Sequence, residues 1–218
     1  MKRKITIVGL GDSITEAVAD MPDEKKRWLS VMQSKLSTAF PDTEFTVINS
    51  GVGGNSAREA MARFPGAVRA HDPDWVILEF GGNNEDLASP ARIVGLKEFS
   101  ALLDQYKRDL PQKTKTIIVT FPPVLDDLHG YGKNADFQAH YQKAGGIDNS
   151  VEPYREITRA FAQANGYPLY DFHKELIALS KLNGRLTYTM SDGVHLTEAG
   201  NGVLAEGVFE ILKDRLAR

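Results

Sequence analysis

The sequence of 218 residues contains no cysteine. Disulfide bonds, thiolate catalysis and cysteine-based zinc sites are therefore excluded. Long hydrophobic runs are also missing, and no stretch approaches the roughly 18 apolar residues of a membrane span. An excess of either charge is absent too. The net charge of −3 provides no basic field for nucleic acid and no polybasic anchor for a membrane surface. No internal repeat, low-complexity tract or linker interrupts the chain. The length suits one domain, residues 1–218, large enough to bury a full core. The start, MKRKITIVGLGDS, is basic, but its apolar run is short and breaks at Gly9 and Gly11. It reads as a first strand rather than a signal peptide, which points to an intracellular location. A mature secreted form would read much the same.

What is present alternates strand with helix. Residues 5–10 are short, apolar and β-branched, as in a buried parallel strand. Trp28, Val31, Met32, Leu36 and Phe40 recur at helical spacing up to Pro41. Further strands are expected at 45–48, 75–80, 116–121 and 167–171. Helices are expected at 57–68 (interrupted by Pro65-Gly66), around 96–106, at 151–165 and at 174–182. Thr197 is placed to cap a last helix carrying Val203, Leu204, Val208, Ile211 and Leu212. Strand then helix repeats five times, which predicts a three-layer α/β/α domain around a parallel sheet. The one long stretch expected to be irregular is 124–150. A loop of that length in a compact domain is usually functional or mobile.

In an open parallel sheet, ligands bind beyond the carboxyl ends of the strands. Four segments there are distinctive: Gly11-Asp12-Ser13, the NSGVGGN of residues 49–55, the GGNNE of 81–85 and the SDGVH of 191–195. A phosphate cradle is one reading of the first. It lacks the Gly-Lys-Ser/Thr end of a Walker loop, and Ile14 stands where a Rossmann fingerprint needs a third glycine. A looser flavodoxin-like phosphate loop would leave His195 without a task. The nucleophile reading uses every segment. A serine hydroxyl needs a base, most often a histidine oriented by a carboxylate. Asp192 and His195 are three residues apart, so one turn of backbone puts both side chains on the same side. The N–H groups of Ser13 and Gly54 and the side-chain amide of Asn83 are suitable oxyanion donors.

These four segments together resemble those of the SGNH hydrolases, the GDSL esterase/lipase superfamily. Gly11-Asp12-Ser13-Ile14 matches the first block, with isoleucine for the usual leucine. Residues 49–55 match the second, with its glycine at Gly54. Phe80-Gly81-Gly82-Asn83-Asn84 matches the third, with Asn84 where aspartate is common. Asp192-Gly193-Val194-His195 matches the fifth. The resemblance covers nearly the whole chain. It implies a flavodoxin-like sheet in the order 2-1-3-4-5 and a metal-free serine esterase with no cofactor. In it Ser13, Asp192 and His195 are catalytic, and Ser13, Gly54 and Asn83 form the oxyanion hole. Gly53 is the neighbouring rival for the second donor, and Asn84 is expected to brace its loop.

The remaining candidates have plainer readings. Ser13 and Asp12 alone would pass for turn or cap residues. Asp126, Asp127 and His129 resemble a metal cluster but fit no ligand spacing, so a solvated loop is expected. His71 reads as a surface loop residue, His173 as a helix start and His140 as part of the long loop. Glu16, Arg58 and Glu85 either brace the blocks or are surface charges. Tyr131, Phe137 and Tyr141 among polar residues favour a sugar, so the expected partner is a small ester, with an acetylated carbohydrate preferred. The alternatives are a lysophospholipase or thioesterase of the same fold, a non-catalytic carbohydrate binder, or a nucleotide-binding flavodoxin-like domain. No oligomeric state follows from the sequence.

Overall fold

The computed structural model describes residues 2–17, 21 and 23–217. Strand β1 (Arg3–Gly11) leads through the single turn α1 (Ser13–Glu16) to α2 (Trp28–Ala39) and β2 (Thr43–Gly51). Then come α3 (Ala57–Ala67), β3 (Trp75–Phe80), α4 (Leu96–Asp109) and β4 (Lys115–Thr120). Three helices follow, α5 (Gly130–Lys133), α6 (Ala135–Ala144) and α7 (Ile147–Asn165), before β5 (Leu169–Tyr170), α8 (Phe172–Asn183) and α9 (Glu198–Leu216). The five strands form one parallel sheet in the order β2-β1-β3-β4-β5.

Strand alternation divides the core into two layers. Ile5 and Ile7 of β1, Trp75 and Ile77 of β3, and Ile117 and Val119 of β4 face α2, α8 and α9. Val8 and Leu10, Val76, Leu78 and Phe80, and Ile118 face α3, α4 and α7. Buried on both sides, β3 has no exposed residue. It therefore reads as a continuous apolar run, with one exception, Glu79. Helix starts are set by side chains. Ser56 and Glu59 form a reciprocal capping box on α3, Asp171 caps α8, and the Thr197 side chain accepts from Gly200 N on α9.

Two local expectations are corrected. Helix α3 runs through Pro65, which lies in its last turn, where the missing N–H costs one late bond. Residues 124–150 are mostly helical. They hold α5, α6 and the first turn of α7, which begins at Ile147 and not at 151. The reason is a weak apolar stripe. Helix α6 buries only Tyr141, and Gly145 with Gly146, both at positive φ, separate it from α7. Strand β5 is also shorter than the expected 167–171.

Candidate active site

Ser13 stands two residues beyond the end of β1, at the first position of α1, where Asp12 turns the chain by accepting from Ile14 N at 3.0 Å. Asp192 and His195 come from the turn before α9. That turn passes through Gly193 at φ 83°, and a Cβ there would lie 2.8 Å from His129 N and Leu125 O. Leu125 N donates to Gly193 O at 2.7 Å, so the exit of β4 and this turn are fixed to each other.

The three side chains form a line. Ser13 Oγ lies 3.0 Å from His195 Nε2, and His195 Nδ1 lies 2.6 Å from Asp192 Oδ2. Asp192 Oδ1 accepts from the amides of Val194 and His195, both at 3.0 Å. Burial opposes ionisation of Asp192, but those two amides and the imidazole outweigh it and hold the carboxyl below its usual range. A hydroxyl, an imidazole and a carboxylate so arranged are able to pass a proton from serine to histidine while the carboxylate steadies the charged ring.

The turn after β3, Gly82–Glu85, brings Asn83 to the same edge. Asn83 Nδ2 donates to Asp12 Oδ2 at 3.1 Å and makes a longer contact of 3.4 Å with Asn55 O. After β2, the Gly53 amide is already engaged, donating to Glu16 Oε2 at 2.8 Å. Gly54, at φ 74°, lines the same cavity as Ser13 and Asn83. This distinction favours Gly54 over Gly53 as a free donor. Asn84 is buried, and its Oδ1 accepts from Ala57 N at 3.0 Å, so it braces the start of α3.

The cavity over Ser13 has a volume of about 540 Å³. Phe121, Val124, Ile147 and Val151 give it an apolar wall, and Tyr131 and Tyr141 add phenol rings. Four carboxylates line it, Glu16, Glu85, Asp86 and Asp192, and no lysine or arginine does among the described residues. Arg92, near Gly54, turns to Glu59 at 3.2 Å. Tyr131 Oη donates to Asp86 Oδ1 at 2.6 Å. His129 also lines the cavity. Burial lowers its pKa, and its Nδ1 accepts from Tyr131 N at 3.2 Å, which marks a neutral ring.

The other sequence candidates disperse. Asp127 pairs with Arg185, Asp126 accepts from Asp148 N, and no group of three or more acidic or histidine side chains among the described residues converges to hold a metal ion. His140 meets Glu85 at 3.1 Å, and His173 lies 3.2 Å from Asp148. Glu16 braces the loop after β2, and Arg58 grips Glu98 and the carbonyls of Ala91 and Ile93. One buried group lay outside the sequence reading. Glu79 sits directly beneath Asp12, and its signal was a lone charge in the apolar run WVILEF.

Residues 10–203 match the family model of the GDSL-like lipase/acylhydrolase family. Among curated proteins, the chain is similar to an acetylxylan esterase of Geobacillus stearothermophilus, 29% identical over 119 residues. That match covers 50% of this chain and spans about half of the relative, 53% of its length. Esterase TesA of Pseudomonas aeruginosa is 24% identical over 212 residues, covering 97% of this chain and 89% of that one. Among solved structures, the acetylxylan esterase Axe2 of Geobacillus stearothermophilus aligns with a TM-score of 0.74 at 21% identity, covering 96% of this chain and 94% of that one. The likeness in structure is one of fold. No described helix is long and apolar enough to cross a membrane.

Proposed function

The chain belongs to the GDSL-like lipase/acylhydrolase family, and from that premise we propose that it hydrolyses small esters with Ser13 as nucleophile, His195 as base and Asp192 as the orienting carboxylate. The observation that carries this reading is the line from Ser13 Oγ to Asp192, at 3.0 and 2.6 Å. Ser13 Oγ attacks the ester carbonyl and gives its proton to His195 Nε2. The tetrahedral oxyanion is held by the N–H groups of Ser13 and Gly54 and by the Asn83 amide. His195 then protonates the leaving alcohol, and an acyl-serine remains. Water attacks that ester with His195 again as base, releasing the acid and restoring Ser13.

Within this chemistry we assign the substrate as an acetyl ester of a neutral carbohydrate. Aromatic rings beside carboxylates suit the faces and hydroxyls of a sugar, and the name of the Geobacillus relative agrees. Four carboxylates without a lining cation oppose polyanionic esters such as coenzyme A thioesters. A second reading, a lysophospholipase or thioesterase, is favoured by the apolar wall of Phe121, Val124, Ile147 and Val151, which would take a longer acyl chain. The test is turnover of esters graded in acyl length, acetylated sugars included. Preference for acetyl over octanoyl and for sugar over thioester supports the first reading, and the reverse order supports the second. Ser13→Ala should abolish a burst of alcohol from an activated acetate ester, and an undiminished burst would refute the mechanism.

A further inference from the structure

Beneath Ser13 lie two carboxyl groups that the proposed mechanism leaves unused. Asp12 and Glu79 are 0% and 1% exposed. They come from the end of β1 and from β3, and their side chains hydrogen-bond each other. Every other polar contact of the pair is a donor. Ile14 N gives to Asp12 Oδ1 at 3.0 Å, Asn83 Nδ2 gives to Asp12 Oδ2 at 3.1 Å, Thr15 Oγ1 gives to Glu79 Oε2 at 3.1 Å, and the Asp12 backbone N–H gives to the Glu79 carboxyl. Glu79 Oε1 is fully buried and meets no donor. Two carboxylates in contact without water repel, and a hydrogen bond between them requires a proton on one. Asp12, with a donor on each of its two oxygens, is the ionised partner. Glu79, with a bare oxygen, carries the proton.

We propose that Glu79 is a protonated positioning residue, which donates to the Asp12 carboxylate and thereby fixes Asp12 as the acceptor that aims the Asn83 amide at the oxyanion. One N–H of Asn83 is spent on Asp12. The other makes only the 3.4 Å contact with Asn55 O and is free to turn to substrate, since Asn83 lines the cavity. Without the proton, Asp12 and Glu79 would separate, and Asn83 would lose its anchor. The electrostatics of the pair agree. Burial lifts Asp12 from 3.8 to about 6, and burial together with the Asp12 charge pushes Glu79 well above the ordinary carboxyl range. The groups that face the pair are Thr15 from α1, Asn83 after β3 and His195 from the turn before α9. Arg63 is bound to the Gly11 carbonyl, and the imidazolium formed at His195 during turnover favours the single negative charge on Asp12.

The test has a spectroscopic and a kinetic arm. Infrared spectra at pH 8, above the ordinary range of every aspartate and glutamate, should show an un-ionised carboxyl band in the wild type. Glu79→Gln should remove it, and Glu85→Gln should not. The glutamine amide reproduces the donor to Asp12 and the acceptor to Thr15, so Glu79→Gln should keep kcat within about threefold of wild type. Glu79→Ala should lower kcat by about 10- to 100-fold with KM nearly unchanged, approaching the loss from an absent oxyanion donor. Absence of the band in folded wild type, with all carboxyls ionised at pH 8, would overturn the proposal. So would a folded Glu79→Gln no more active than Glu79→Ala, or a loss expressed in KM alone. The kinetic arm rests on the esterase reading, and the infrared arm does not. An active Ser13→Ala would sink that reading while leaving the band to be judged by itself.

Discussion

Replacing Asp192 by asparagine should damage the enzyme more than replacing it by alanine. The carboxylate is held in two ways. Its Oδ1 accepts two backbone amides at 3.0 Å, and its Oδ2 faces His195 Nδ1 at 2.6 Å. In Asp192→Asn the side-chain oxygen must stay on the two amides, because only it accepts. The NH₂ group then takes the place of Oδ2 and points a donor at Nδ1. Histidine answers by moving its proton to Nε2, the nitrogen that must accept from Ser13, and the base is lost. A wrong tautomer of this kind costs about 10⁴-fold in related triads. Asp192→Ala imposes no tautomer. It removes the charge that steadies the imidazolium, which at about 4 Å is worth between about 1 and about 4 kcal/mol depending on solvent access. The Asp192 side chain is 44% exposed, so the lower half of that range applies. That is about 1–2 kcal/mol, or about 5- to 30-fold in rate from the charge alone, to which the loss of ring orientation adds. The assay is kcat/KM on an activated acetate ester at constant pH, with circular dichroism confirming that both variants fold. If Asp192→Asn is as active as Asp192→Ala, or more so, the assigned hydrogen-bond directions are wrong.

Three other perturbations separate the parts of the site. Asn83→Ala should lower kcat by about 10² to 10³ with little change in melting temperature. Asn84→Ala should do the opposite, because it orphans Ala57 N at the head of α3 and costs about 1–3 kcal/mol, a few degrees of Tm in a chain of this size. A larger kcat loss from Asn84→Ala would show that the two asparagines have been assigned in the wrong order. Tyr131→Ala should leave turnover of a small acetate ester intact and raise KM for acetylated oligosaccharides, and an unchanged substrate profile would remove the 124–150 segment from the specificity pocket. For acid stability, burial opposes ionisation of Asp171, but Arg159 and Lys174 override it and hold the carboxyl at about 2. A depressed carboxylate contributes stability above its unfolded pKa near 4 and loses it as pH falls towards 2. Denaturation from pH 6 to pH 2 should therefore be flatter for Asp171→Asn than for wild type, and parallel curves would contradict the assignment.

The sheet was legible because its central strands are buried on both faces and so write themselves as short apolar runs such as ITIVGL and WVILEF, each stopped by glycine. The strand-end segments were legible for a related reason: small and polar residues there serve no core, and the fold rule gathers them at one edge. The 124–150 stretch was illegible as helix because α6 rests on one buried ring, Tyr141, and α5 buries none of its four residues. A helix held by so few apolar contacts leaves little periodicity to read. The motif placed the second donor at Gly54 rather than Gly53, and the coordinates add a reason the sequence could not supply. It turns on which amide Glu16 occupies, a contact across 37 residues.

Glu79 is the instructive omission. Periodicity assigns it to the core, and its charge breaks the pattern, yet the sequence offers no partner nearby, because Asp12 and Thr15 lie more than sixty residues away. A buried carboxyl with no cation beside it demands either a proton or a cost of several kcal/mol. Read that way, the lone acid in WVILEF is informative in its own right. Its strand ends at the turn that carries Asn83, and the group it meets, Asp12, adjoins Ser13 and binds Asn83. An acid set into a strand that faces no solvent thus marks the layer next to Ser13, and on the proposed reading the proton it keeps is what lets Asp12 remain an acceptor for Asn83.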